Sequence, residues 1–130
     1  MTKKEKEQLV AEVNILRELE HPNIVRYYDR WEGGYSRIIE KQNQTIYIVM
    51  EYCEGGDILQ LIKRCKRDKD YMNEDVIWKI FMQIMQALQH CHFRKEGRIL
   101  HRDIKPGNIF LDGQNNVKLG DFGLSKMMGT

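Results

Sequence analysis

The 130 residues predict an α+β fold, and three observations carry that prediction. Two stretches place apolar residues at helical intervals of three and four. Runs rich in β-branched and aromatic residues lie between and after them. Gly, Pro, Asn and Asp punctuate the boundaries. In chain order, Leu9, Val13 and Leu16 recur among Glu, Lys and Arg and predict an amphipathic helix over residues 3 to 19, which Pro22 forbids from continuing. "NIVRYYDRW" and "TIYIVMEY" read as two strands of a hairpin, joined by the long polar stretch "EGGYSRIIEKQNQ". "EGGD" breaks the second strand, and Asp57 is placed to cap a short helix through "ILQLIKRC". After the charged connector "KRDKD", Asn73 or Glu74 opens the longest helix, predicted to run to His92 with Ile77, Ile80, Phe81, Ile84, Leu88 and Cys91 on one face. Two short strands, "NIFL" and "VKLG", close the pattern around the turn "DGQNN".

Composition narrows the function classes. A 42% hydrophobic content in a chain of this length supports one globular core. The 21 Lys and Arg nearly balance the 19 Asp and Glu, so a field that draws in nucleic acid or an anionic membrane is not expected. Three unpatterned cysteines suit reduced thiols rather than a disulfide framework. No apolar run reaches the roughly 20 residues of a membrane helix, and the N-terminal "MTKKEKEQLV" is too polar for a signal peptide. The chain therefore reads as soluble and intracellular.

The chemistry concentrates in "HRDIKPGNIF", residues 101 to 110. A hairpin preceded by Asp103 and Asn108 and followed by Asp121 brings three oxygen-donor side chains to one end. Magnesium takes one or two carboxylates, an amide and phosphate oxygens in preference to a full protein cage, so Asn108 and Asp121 suit an ion shared with a nucleotide. Asp103 is then available to accept a hydroxyl proton, and Lys105 to offset charge on a transferred phosphoryl group. The "HCH" run at residues 90 to 92 alternates faces on a helix and so makes a poor zinc site.

"HRDIKPGN" followed by "DFG" closely resembles the catalytic and metal-binding loops of protein kinases. "EVNILRELEHPNIVRYYDR", "YIVMEYCEGGD" and "NVKLGDFGL" are most similar to NIMA-related serine/threonine kinases, and the resemblance covers essentially the whole chain. It implies a partial protein-kinase-like fold. Residues 1–50 would be the end of the small lobe with its regulatory helix and two strands, residues 51–57 the hinge, and residues 58–130 the start of the large lobe with its first helices, catalytic loop and DFG hairpin. It implies ATP and Mg2+ as cofactors and proteins with Ser or Thr acceptors as substrates. Asp103 then resembles the catalytic base, Lys105 the phosphate-contacting lysine, and Asn108 and Asp121 the metal ligands. Glu12 resembles the helix glutamate that pairs with a strand lysine, and Arg102 the arginine that meets a phosphorylated activation loop. Met50 looks like the gatekeeper, Glu51 and Cys53 like hinge residues facing adenine, Phe110 like the floor of the nucleotide site and Asp57 like a ribose neighbour. A helix N-cap explains Asp57 equally well. Leu16, Tyr27, His101 and Phe122 correspond to the family's stacked regulatory residues.

Two features of that family are not found in these residues: no "GxGxxG" and no "AxK" occurs. Both are expected before Met1, and the chain stops shortly after "DFG". Two function classes stay open. One is the central part of a magnesium- and ATP-dependent Ser/Thr kinase acting in cell-cycle, centrosome or ciliary control, cytoplasmic with nuclear or centrosomal sites. The other is a noncatalytic truncated kinase-like chain that binds a partner or regulator. Neither class calls for nucleic acid or a membrane, and the oligomeric state is not encoded in any feature read here.

Overall fold

The structure, a computed structural model, describes residues 2–28, 30–31, 34–35, 39–40, 46–47, 49–120 and 126–128; at positions 6, 8–12, 15, 30–31, 34–35, 39–40, 46–47 and 126 it describes the backbone alone. The chain divides into two compact units, one made of residues 1–20 and 25–51, the other of residues 21–24 and 52–130.

In the first unit, helix α1 spans Lys3–Leu16. It opens on a reciprocal cap: Thr2 Oγ1 accepts from the Glu5 amide at 3.2 Å, and Glu5 Oε2 accepts from the Thr2 amide at 2.7 Å. These bonds to Thr2 hold the Glu5 carboxyl below its ordinary value. The helix ends three residues before the predicted boundary, with a turn closed by Leu19 N–H on Leu16 C=O at 3.1 Å. Val13, Leu16, Leu19 and Val25 are buried. The predicted strand pair does form, over a shorter length. Tyr28 N–H donates to Val49 C=O, Glu51 N–H donates to Arg26 C=O, and Tyr27 stands opposite Met50 in antiparallel sense. The segment read as a plain connection supplies one strand to each of two further ladders, the other strand coming from the predicted strands themselves: β1 (Arg30–Trp31) pairs with β2 (Gly34–Tyr35), and β3 (Ile39–Glu40) with β4 (Ile46–Tyr47). Tyr35 and Ile39 are good strand formers, and the polar residues around them masked that preference in the sequence.

The second unit holds the rest. Gly55 N–H donates to Leu111 C=O, Leu111 N–H donates to Gly56 C=O, both at 2.8 Å, and Gly56 adopts φ +69°. Asp57 caps helix α2 (Ile58–Arg67) through Oδ1, which accepts from Gln60 N–H at 2.8 Å. A cap of this type contributes about 1 kcal/mol. Asn73, not Glu74, caps helix α3 (Glu74–His92), accepting from Asp75 N–H at 2.8 Å.

Strand β5 (Arg98–Leu100) pairs antiparallel with β8 (Lys126–Met128). Strand β6 (Ile109–Leu111) pairs antiparallel with β7 (Val117–Leu119) in the predicted hairpin, Ile109 opposite Leu119 and Leu111 opposite Val117. The β5–β8 pair was not anticipated, since "KMM" carries no β-branched residue and takes its strand conformation from its partner. At the hairpin turn Asp112 Oδ1 accepts from the amides of Gln114 and Asn116. Partial burial raises the Asp112 carboxyl, but these bonds, an Asn116 side-chain contact and Lys118 outweigh it, and the net direction is downward.

Helix α3 lies against β5 and β7. Ile80, Ala87 and Cys91 are buried there, and burial pushes the Cys91 thiol up to about 11 against a smaller opposing effect of Arg94. The predicted apolar face is only half covered. Ile84 and Leu88 are half-buried, while Ile77 and Phe81 are exposed together with Trp78, Met82 and Met85. The two strands reach one stripe of the helix, and among the described residues nothing lies over the rest. No helix among the described residues is long and apolar enough to cross a membrane.

Residues 21–24 dock on the outer edge of β7. Ile24 bridges Leu119 in parallel sense, Leu119 N–H donates to Asn23 C=O at 2.8 Å, and His21 Nδ1 accepts from Asn23 N–H at 3.0 Å. The His21 ring lies 5.0 Å from that of His90. Burial, then the charges of His90 on α3 and Lys118 on β7, lower the His21 value below 6.5. Above pH 6.5 the ring is neutral folded or unfolded, and its packing contributes fully. As pH falls below 6.5 the unfolded chain takes the proton first, and that contribution is lost down through the folded-state value. In the full-length protein, the drop in Tm from about pH 7.5 to about pH 5.5 is therefore expected to be smaller in His21→Gln, which keeps an acceptor without the titration. Equal slopes would contradict this.

Candidate active site

The site is built on the loop between β5 and the short 3-10 turn Pro106–Asn108 that leads into β6. Its anchor is His101, 2% exposed. The ring accepts from the Asp103 amide through Nδ1 at 3.1 Å, which places its hydrogen on Nε2, and Nε2 donates to Gly120 C=O at 2.7 Å. Arg102, between them, takes a left-handed backbone with φ +67°, so that the residues on either side can face inward.

Asp103 is fixed twice more. Asn108 is buried, and its Nδ2 donates to both the backbone carbonyl and Oδ2 of Asp103, each at 2.9 Å. Lys105 Nζ lies 3.6 Å from the same Oδ2, its own side chain mostly exposed. The backbone closes the assembly, with Asn108 N–H on Lys105 C=O at 2.9 Å and Gly120 N–H on Asn108 C=O at 3.0 Å. Gly120 thus ties the end of β7 to the loop on both sides.

The chemistry follows from which atoms these bonds use. Oδ2 of Asp103 is committed to Asn108 and Lys105, so Oδ1 is the carboxylate oxygen that neither of them uses, and it can accept a proton. Nδ2 of Asn108 is committed to Asp103, so the atom of its amide that Asp103 does not use is the oxygen Oδ1. A carboxylate and an amide oxygen side by side, with no soft ligand, fit a hard cation such as magnesium. Among the described residues no group of three His, Cys, Asp or Glu gathers as a separate metal site.

The other predicted positions distribute as follows. Asp103, Lys105 and Asn108 come together; Asp121 and Phe122 lie outside the described residues. Glu12 is on α1, and its side chain lies outside the described residues. In the first unit Leu16 is buried, Tyr27 half-buried, Met50 about half exposed, and the Glu51 amide is used by Arg26 C=O while Glu51 Oε1 accepts from Arg26 N–H at 3.2 Å. In the second unit Cys53 is half-buried and its carbonyl accepts from Gly56 N–H. Asp57 stands opposite Phe110 on β6 and serves as the α2 cap. Sequence reasoning missed Gly120, whose carbonyl and amide both hold the loop; its place next to "DFG" was the available signal.

The protein kinase domain family model matches residues 1–130. The chain belongs to the protein kinase family. Within that family its similarity runs to the NIMA-related serine/threonine kinases. It is 58% identical over 128 residues to the probable serine/threonine-protein kinase nek2 of Dictyostelium discoideum, covering 98% of this chain and 29% of that protein. It is 52% identical over 130 residues to the human serine/threonine-protein kinase Nek2, covering 98% of this chain and 28% of that protein. With the G2-specific protein kinase nimA of Emericella nidulans the identity is 44% over 152 residues, covering 98% of this chain and 21% of that protein. The chain thus spans less than a third of the length of the curated relatives it matches. Protein kinases use ATP with Mg2+, which supplies the phosphoryl group and the charge that neutralises it.

Proposed function

We propose that these residues are the central part of a NIMA-related protein kinase domain that transfers the γ-phosphate of ATP to Ser or Thr hydroxyls of proteins. In this reading residues 1–50 end the small lobe, 51–57 form the hinge and 58–130 begin the large lobe. Asp103 accepts and directs the substrate hydroxyl, Lys105 offsets charge on the phosphoryl group, and Asn108 with Asp121 holds magnesium. Met50, Glu51, Cys53 and Phe110 border the adenine, with Asp57 nearby, and Glu12 orients a strand lysine. The observation that carries the reading is the clamp of Asn108 Nδ2 on Asp103, which leaves one oxygen of each residue for the chemistry. A Lys two residues after Asp103 supports Ser and Thr as acceptors. Similarity to kinases named G2-specific supports a role in cell-cycle control; a cytoplasmic location with nuclear or centrosomal sites rests on the family resemblance alone.

The test is incubation of the full-length protein with γ-labelled ATP, Mg2+ and a mixed Ser, Thr and Tyr peptide pool, followed by phosphoamino-acid analysis. Label on serine and threonine is expected. Label confined to tyrosine, or none, would overturn the proposal. The polypeptide 1–130 alone contains neither a glycine-rich loop nor the lysine that Glu12 would meet, so it is expected to transfer no measurable phosphate under the same conditions. Robust, Asp103-dependent transfer by it would contradict that expectation. An antibody against "KRDKDYMNED" gives the size of the native polypeptide: a band far above 15.5 kDa supports the enzyme, and one near it the noncatalytic alternative.

A further inference from the structure

Strand β7 is followed directly by Gly120, whose amide and carbonyl hold Asn108 and His101. What holds β7 is therefore one step from the site. Its inner edge pairs with β6, but Val117 and Leu119 turn their amides the other way. Two side chains from distant parts of the sequence meet Val117 there. Gln83, on α3, accepts from Val117 N–H through Oε1 at 2.7 Å, and Asn23 Nδ2 donates to Val117 C=O at 3.0 Å. Gln83 uses its other end as well, Nε2 donating to Asn116 Oδ1 at 3.2 Å. Asn116 in turn belongs to the turn organised by Asp112.

An ordinary sheet would give β7 a third strand on this edge. Here the backbone of residues 23–24 reaches the edge only at Leu119, two amide side chains serve Val117, and both polar ends of Gln83 are spent on the hairpin. A half-buried glutamine needed only for packing would not require that match of donor and acceptor. Val117 is three residues from Gly120, so a shift of its backbone moves the carbonyl that orients His101 and the amide bonded to Asn108. Asp103 and Asn108 would move with them.

We infer that Gln83, together with Asn23, is a positioning residue for phosphoryl transfer, fixing through the outer edge of β7 the geometry of Gly120, Asn108 and Asp103. The inference rests on the function proposed above. Neither residue touches the reacting groups. Their effect is on the metal ligand and the base, which tolerate little displacement.

The test uses the full-length protein with Gln83→Met, which keeps length and apolar stem but loses both bonds, and Gln83→Glu, which keeps the acceptor for Val117. Gln83→Met is expected to lower kcat by about tenfold with peptide KM nearly unchanged. It is also expected to raise by about tenfold the Mg2+ concentration needed for half-maximal binding of an ATP analogue, read by calorimetry without turnover. Amide exchange at Val117 and Gly120 accelerates in the same variant. Gln83→Glu recovers most of the rate. Rates, Mg2+ requirement and exchange equal to the unsubstituted protein in folded Gln83→Met would overturn the inference, as would Gln83→Glu as impaired as Gln83→Met. Should Gln83→Met fail to fold, Asn116→Ala removes one of the two bonds from the hairpin side. It is expected to shift kcat and Mg2+ requirement in the same direction, and no shift overturns the inference. Failure of the unsubstituted protein to transfer phosphate contradicts the proposed function; transfer by it with an indifferent Gln83→Met contradicts this inference alone.

Discussion

Asp103→Asn in the full-length protein is expected to lower kcat by about a thousandfold, with KM for ATP within about twofold of the unsubstituted value. The substitution keeps the shape of the loop, since an Asn oxygen can still accept from Asn108 Nδ2, and the His101 bond goes to the backbone amide rather than to the carboxylate. What it removes is the other oxygen, Oδ1, which in the proposed role takes the hydroxyl proton, and the negative charge that Lys105 Nζ faces at 3.6 Å. In the proposed reading Asp103 does not hold the nucleotide, so the loss is expected to fall on the chemical step. Steady-state kinetics over ATP and peptide concentration reads both quantities. A fall in kcat of less than about tenfold would remove Asp103 from the role of base.

Gly55→Val is expected to destabilise the full-length protein by about 3 kcal/mol, a drop in Tm on the order of 10 °C. A Cβ at this position would lie 2.8 Å from Leu111 Cβ and 2.9 Å from the carbonyl oxygens of Leu111 and Asp112. Two of those atoms are backbone and cannot swing aside. Gly55 N–H also donates to Leu111 C=O at 2.8 Å, so relieving the clash breaks a hydrogen bond. The strand that would be pushed is β6, which starts from Asn108, so part of any surviving activity is expected to be lost as well. A melt within about 2 °C of the unsubstituted protein would show that the close approach is not needed.

The parts of the fold most legible in the sequence were those whose signal is local. Asp57 and Asn73 cap helices where their short oxygen-bearing side chains fall before an apolar repeat, and "DGQNN" makes the turn its composition prescribes. The reciprocal cap of Thr2 and Glu5 was equally local and was passed over. Signals that depend on a distant partner were not legible. "KMM" becomes a strand only against Arg98–Leu100, and Ile77 and Phe81 share the apolar period of α3 yet lie outside the stripe that β5 and β7 cover. Within the site the same division holds. The residue types of Asp103, Lys105 and Asn108 suggested the chemistry proposed for them, whereas the bracing by His101, Gly120, Asn23 and Gln83 arises from contacts between segments up to 94 positions apart.

The most direct test of the account is a crystal structure of the full-length protein with Mg2+ and a non-hydrolysable ATP analogue. The account predicts Asn108 Oδ1 at about 2.1 Å from a magnesium ion that also contacts phosphate oxygens, with Asn108 Nδ2 still bonded to Asp103 and Asp103 Oδ1 facing open space beyond the γ-phosphate. A magnesium ion held without Asn108, or an Asp103 carboxylate turned away from the phosphates, would contradict it.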